Sequence, residues 1–220
     1  VKVNIDVALL DAWESQKTQT LYKEDEPVFT KGDPIAGLNI VQNGLIQLFY
    51  LGSGRRSEVI RFAGNGKIFG HVAIAGDHYP SSSMAKEETL VCHFSNELFL
   101  KMNESNPRFC FDLISYYSKQ HNQTVLRLIV SAQMNLREKV ANALLYLYQE
   151  FGVNGNAELR PCFSREDIAS LAGTTQEQVS RQLSDFEKDG IISKRARHIA
   201  MIAPDKLKSI INSYYANNDN

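Results

Sequence analysis

The sequence predicts an α+β chain in three successive parts. These are an N-terminal β-roll of jelly-roll type (a small barrel) over residues 1–106, a long central helix with its hinge over 107–134, and a C-terminal winged helix-turn-helix over 135–220. Three observations carry this reading. Short apolar runs separated by Gly, Asn and Asp turns fill Leu21 to Phe99. A three-to-four spacing, apolar with a polar interruption at His121 and Thr124, then runs from about Arg108 to Val130. Finally, Phe163 to Ile202 reads as two capped helices joined at a glycine and followed by a hairpin.

In the first part, Lys31-Gly32-Asp33, Gln42-Asn43-Gly44, Gly52-Ser53-Gly54, Gly64-Asn65-Gly66 and Ala75-Gly76-Asp77 are turn signals at fairly regular intervals. Between them Pro27-Val28-Phe29, Leu38 to Val41, Leu45 to Tyr50, Glu58 to Phe62 and Leu90 to Phe94 read as strands. Such short, evenly spaced strands suit a small roll or jelly roll. A short helix begins at Asn96-Glu97-Leu98-Phe99-Leu100.

The central helix places Leu113, Tyr117, His121, Thr124 and Leu128 at helical spacing. A small roll offers too little surface to cover a helix of that length, so a second copy of the chain is the expected partner. The alternative is a helix packed wholly on its own roll. A hinge near Ser131 to Asn135 leads into another helix, Val140 to Phe151, expected to back the last domain.

In that domain, Ser164 with Asp167 three residues on is a helix-start signature. Gly173 ends the first helix, where only a residue without Cβ enters the left-handed region cheaply. Thr174 and Thr175 then cap a second helix from about Gln176 to Asp189, with Val179, Leu183 and Phe186 on one face. Its other face carries Gln176, Glu177, Ser180 and Arg181. Arg181 can fork two hydrogen bonds onto guanine O6 and N7, Glu177 can accept from a cytosine amino group, and Ser180 suits either kind of base edge. Glu177 and Arg181 also fit an ordinary ion pair on a solvated helix. After Gly190, Ile191 to Ser193 and Ile199 to Ile202 read as strands around the basic tip Lys194-Arg195-Ala196-Arg197-His198. A basic tip beside such a helix is placed to meet phosphate. Double-stranded DNA is therefore the expected partner. The candidate contacts are Ser164, Arg165, Thr174, Thr175, Gln176, Glu177, Ser180, Arg181, Lys194 and Arg197.

Composition narrows the alternatives. The 24 Lys and Arg residues are matched by 25 Asp and Glu, which argues against indiscriminate binding of nucleic acid. No apolar run reaches the roughly 18 residues of a membrane span, and the opening Val1-Lys2-Val3-Asn4-Ile5-Asp6 lacks the pattern of a secretory leader. A cytoplasmic location is expected, with no membrane partner. Cys92, Cys110 and Cys162 are scattered and support neither a disulfide framework nor a metal site. His71, His78, His93, His121 and His198 form no ligand pair, so a cupin-type metalloenzyme lacks its ligands. No GxSxG, Walker or dinucleotide motif occurs, and no enzyme activity is expected.

The order of roll, long helix and winged helix-turn-helix resembles the CRP/FNR family of bacterial transcription regulators over nearly the whole chain. The matching pieces are Phe29-Thr30-Lys31-Gly32-Asp33, Asn43-Gly44, Gly66-Lys67-Ile68-Phe69-Gly70 ahead of a short pocket helix, and the helix-turn-helix. Glu177-x-x-Ser180-Arg181 is similar to the recognition helix of the FNR branch. That likeness implies half-sites close to TTGA(T/C) arranged as an inverted repeat, a homodimer, and contact with RNA polymerase. Gln176 stands where CRP-like members have Arg, which disfavours a TGTGA-type site. By the same resemblance Gly70, His71, Ser81, Ser82, Ser83, Leu136 and Arg137 would line an effector pocket. Family members that bind cyclic nucleotides carry Gly-Glu and Arg-Ser there, where this chain has Gly70-His71 and Tyr79-Pro80-Ser81-Ser82-Ser83-Met84. A buried phosphate without a cation is costly, so cyclic AMP is not expected. An FNR-type iron–sulfur cluster needs four cysteines, and haem would have only His71 or His78 to bind it. No cofactor is predicted, and room is left for an unidentified small-molecule effector. The competing reading is a ligand-binding regulatory module that acts by protein contact and carries a non-functional DNA-binding motif.

Overall fold

A computed structural model of the chain describes residues 18–52, 57–71, 76–196 and 198–215. Arg197, the side chain of His71 and the short pocket helix expected after Gly70 lie outside the described residues. The chain divides into two compact units, Val1–Val125 and Leu126–Asn220.

In the first unit, strands β1 (Thr18–Tyr22), β2 (Pro27–Phe29), β3 (Gly37–Asn43), β4 (Ile46–Leu51), β5 (Ser57–Ala63), β6 (Ile68–His71), β7 (Ser82–Ala85) and β8 (Thr89–Ser95) form two antiparallel four-stranded sheets. Their orders are β1-β8-β3-β6 and β2-β7-β4-β5. The expected barrel is therefore an open roll of two sheets, whose paired inner faces suffice to bury the alternating apolar residues. Phe29, Ile46, Leu48, Ala63 and Ala85 from one sheet meet Val41, Phe69 and Val91 from the other. Gly44 is required in the β3–β4 turn: its φ is 113°, and a Cβ there would lie 2.4 Å from Thr89 Oγ1.

Helix α1 (Asn96–Ser105) is capped by Ser95, which accepts from the Leu98 N–H. It buries Leu98, Phe99 and Met102 against the outer face of the first sheet, where Leu38, Cys92 and Phe94 alternate with the inward residues. Helix α2 (Pro107–Gln133) extends over 27 residues. Its expected dimer face needs correction. Leu113 is 5 % exposed and packs with Phe99 and Phe109. Tyr117 is folded onto the same unit, its hydroxyl donating to the Gly70 carbonyl at 3.2 Å. Thr124 donates to the Gln120 carbonyl of its own helix. Only His121 and Leu128 of the five remain exposed. Of the apolar residues of α2 left uncovered, among them Ile129 (55 % exposed), four make a series: Phe111 (68 %), Ile114 (59 %), Val125 and Leu128 (67 %). With Ser118, His121 and Ala132 they step by alternating threes and fours, the spacing of a two-stranded seam. The series drawn from the sequence had merged this seam with the face turned toward the chain's own sheet.

The second unit holds the end of α2, then α3 (Leu136–Phe151), α4 (Arg165–Ala172), α5 (Gln176–Lys188), strands β9 (Ile192–Arg195) and β10 (His198–Met201), and α6 (Pro204–Tyr215). Helix α3 starts four residues before the expected Val140, because Asn135 and Glu138 form a reciprocal capping box. Helix α6 escaped the sequence reading. Pro204 at its first position and Leu207 with Ile211 at four-residue spacing were its signals. Val140, Leu144, Leu147, Ile168, Val179, Leu183, Phe186, Leu207 and Ile211 make the core, each almost wholly buried.

Candidate nucleic-acid interface

The interface is built from helix starts. Ser164 Oγ accepts from the Asp167 N–H at 3.0 Å and donates to Asp167 Oδ2, which also accepts from the Ser164 N–H at 2.8 Å. These bonds satisfy donors that would otherwise be orphaned at the start of α4. At its end Gly173 takes the left-handed conformation (φ 61°, ψ 43°), and its N–H reaches the carbonyls of Ala169 and Ser170. The chain then re-enters a helix at Thr175, whose Oγ1 accepts from the Gln178 N–H at 3.3 Å. Thr174 Oγ1 donates to Gln178 Oε1. The hydroxyls of Ser164, Thr174 and Thr175 are thus committed to holding the turn.

Two turns of α5 decide what faces outward. Val179, Leu183 and Phe186 are buried, which turns Gln176, Glu177 and Arg181 to the surface, with Ser180 half-buried between them. Positions 177, 180 and 181 are i, i+3 and i+4, so one patch about a turn long presents an acceptor, a hydroxyl and a guanidinium. Arg165 is also exposed, at the first position of α4.

Lys194 is not the free phosphate contact expected of a wing tip. Its Nζ lies 3.1 Å from Glu187 Oε2 and donates to Ser184 Oγ at 2.9 Å, while its N–H donates to Glu187 Oε1 at 2.8 Å. Strand β9 starts one turn after α5, so the first wing strand is strapped to the helix it follows. Arg195, 3.9 Å from Glu158 Oε1, remains largely exposed.

The N–H of Lys194, and secondarily its ammonium, hold the Glu187 carboxyl below the usual carboxylate range. A carboxylate whose pKa is lowered on folding stabilises the fold above its unfolded value and loses that effect as pH falls through the folded one. The melting-temperature gap between the native chain and Glu187→Gln should therefore be full at neutral pH and close below about pH 4. An unchanged gap in acid would show that the strap owes nothing to charge.

The residues expected at an effector pocket fall in both units. Gly70, Ser81, Ser82 and Ser83 are buried in the first. Gly70 has φ 80°, and Ser82 Oγ accepts from the Lys31 N–H at 3.0 Å. Ser83 Oγ has no hydrogen-bond partner among the described residues. Leu136 and Arg137 open α3 in the second unit. Arg137 is spent there: its guanidinium lies 4.8 Å above the Phe186 ring and 2.7 Å from Asp189 Oδ2, tying α3 to the end of α5. This residue, read from the sequence as a pocket group, supports the recognition helix instead. His78, one of the two histidines weighed for haem, is exposed beside an isolated bridge to Pro34. Among the described residues no helix is long and apolar enough to cross a membrane.

Two capped helices joined at a left-handed glycine, the second polar on its outer face and followed by a two-stranded wing, define a winged helix-turn-helix module. Comparison with known proteins agrees. Residues 138–210 match the Crp-like helix-turn-helix domain, and residues 19–106 match the cyclic nucleotide-binding domain. The chain is 25 % identical to the fumarate and nitrate reduction regulatory protein of Vibrio cholerae, over 82 % of this chain and 73 % of that protein. It is 25 % identical to the protein of the same name in Escherichia coli K12, over 89 % of this chain and 76 % of that one. Among solved structures, FixK2 from Bradyrhizobium japonicum superposes with a TM-score of 0.80 at 22 % identity, covering 88 % of this chain and 96 % of FixK2. A CRP/FNR-family regulator of Thermus thermophilus gives 0.75 at 18 % identity, covering 90 % of this chain and all of that one. The chain belongs to the CRP/FNR family and is a DNA-binding transcription regulator of that type.

Proposed function

We propose that the chain acts as a homodimer on an inverted repeat with TTGA(T/C)-like half-sites, reading bases with Glu177, Ser180 and Arg181. The observation that carries this is the outer face of α5, where those three side chains stand together while the opposite face is buried. Gln176 adjoins the patch at the first position of α5, Arg165 is exposed at the first position of α4, and the capped starts of the two helices present backbone N–H groups suited to phosphate. Ser164, Thr174 and Thr175 serve by fixing those starts. Lys194 fixes the wing, and Arg195, largely exposed on it, is left to meet phosphate, a role the sequence also assigns to Arg197. The exposed seam of α2 from Phe111 to Ala132 supplies the contact between copies, and twofold symmetry then accounts for a palindromic site. Residues 1–106 form the sensor domain, 107–134 the dimer helix and hinge, and 135–220 the DNA-binding domain. Contact with RNA polymerase is part of this reading, in the cytoplasm where the promoter lies.

An electrophoretic shift with an inverted TTGAT repeat tests the proposal. Specific, salt-sensitive binding is expected, and no shift at low salt would overturn it in favour of a module acting by protein contact. Arg181→Ala should cost about 1–3 kcal/mol and relax preference at one guanine. Equal weakening on every sequence would remove Arg181 from base reading.

A further inference from the structure

The domain matched by residues 19–106 implies a cyclic nucleotide inside the roll, and the residues present do not fit one. Such a ligand buries a phosphate charge, which demands a buried cation. Among the described residues of the first unit the buried polar side chains are Asn39, Gln47, Ser81, Ser82, Ser83 and Thr89, and none of these is cationic. Lys31 turns its Nζ to the Tyr50 hydroxyl at the surface, and Arg61 donates to the Ile68 carbonyl. His93, half-buried and 3.0 Å from Asn39 Oδ1, has its pKa pushed down by burial and so favours the neutral form.

Aromatic rings fill part of the interior between the two sheets. Tyr79, 4 % exposed, lies flat on Phe29 with ring centroids 3.7 Å apart and planes 9° apart. Phe29 in turn stacks toward Phe69 at 6.2 Å. The three rings belong to the cluster that joins the two sheets, with Val41, Leu48 and Val91 around them. The Tyr79 hydroxyl donates to the Gly37 carbonyl at 3.3 Å, which anchors the ring from the far end. An aromatic ring held flat, with one polar tip satisfied, is what a bound aromatic ligand would supply.

We propose that Tyr79 is the roll's built-in ligand, an intramolecular aromatic occupant that makes DNA binding by this chain independent of any cyclic nucleotide. The inference rests on the DNA-binding reading above for its consequence, though not for its geometry.

Two measurements test it. Protein unfolded in guanidinium, dialysed and refolded should bind the inverted repeat as tightly as before. Millimolar cyclic AMP or cyclic GMP should alter that affinity by less than about twofold, against the roughly 5–150-fold of typical allosteric coupling. Binding that is lost on refolding and restored by either nucleotide would overturn the proposal. The second measurement is the melting temperature of the protein alone, which judges the roll whether or not DNA is bound. Neither nucleotide should raise it in the native chain, and a dose-dependent rise would overturn the proposal. Tyr79→Ala should melt lower and be raised by p-cresol, which refills the vacated ring site, while p-cresol leaves the native chain unmoved. No response of folded Tyr79→Ala to p-cresol counts against the ring as an occupant. Should that variant not fold, Tyr79→Phe decides, since keeping the ring should keep both folding and nucleotide-independent DNA binding.

Discussion

Phe186→Ala is expected to destabilise the second unit by about 3–5 kcal/mol, the range for truncating a fully buried aromatic. Phe186 is 0 % exposed, and it closes the apolar face that α5 shares between Val179 and Leu183. Its loss removes the ring's transfer energy and leaves a cavity that neighbouring helices fill only in part. It also takes away the surface under the Arg137 guanidinium, a further contribution of about 0.5–1 kcal/mol at a partly exposed site. Urea unfolding followed by circular dichroism reads the change. Specific DNA binding should fall with it, because the patch at Glu177, Ser180 and Arg181 is aimed by the burial of the opposite face. A loss below about 1 kcal/mol, the level of an ordinary surface change, would show that α5 is not held by that face.

Leu128→Asp is expected to abolish the dimer while leaving the fold of the single chain nearly untouched. Leu128 is 67 % exposed within its own chain, so its replacement disturbs little there. Across a twofold seam it would place two carboxylates in an apolar contact. Sedimentation should report a monomer. Affinity for the inverted repeat should drop by about 10²–10⁴, the advantage of engaging two half-sites with linked modules. Leu113→Ala is the control, since Leu113 packs in its own unit: it should lower the melting temperature and leave association intact. If Leu128→Asp stayed dimeric, the face from Phe111 to Ala132 would not be the interface.

These two substitutions mark where the sequence was legible and where it was not. The helix-turn-helix could be read in advance because its signals are local: Ser164 with Asp167, Gly173, and Thr175 act on backbone groups within four residues. Burial of Val179, Leu183 and Phe186 follows from helical period alone. Strands β6 and β7 were harder to see. β6 is only four residues long and ends in Gly70-His71, while β7 buries Ser82 and Ser83, and a buried serine gives no apolar alternation to count. Lys194 and Arg137 were misplaced for a related reason. A long cation reads as free in sequence, yet its partner is set by which helix lies beside it, here Glu187 for one and Asp189 for the other.

From residue order alone come the three-part plan, the recognition helix with its outward Glu177, Ser180 and Arg181, and the presence of Gly70-His71 and Tyr79 to Met84 in the roll. Each depends on local backbone chemistry or on the presence of a residue type. Tertiary structure alone decided that Leu113 and Tyr117 turn inward while Phe111, Ile114, Val125 and Leu128 stay uncovered, and that Tyr79 lies on Phe29 inside the roll. A helix with two apolar faces has no sequence mark for which one meets its own sheet. A ring's stacking partner is brought to it from a strand 50 residues away.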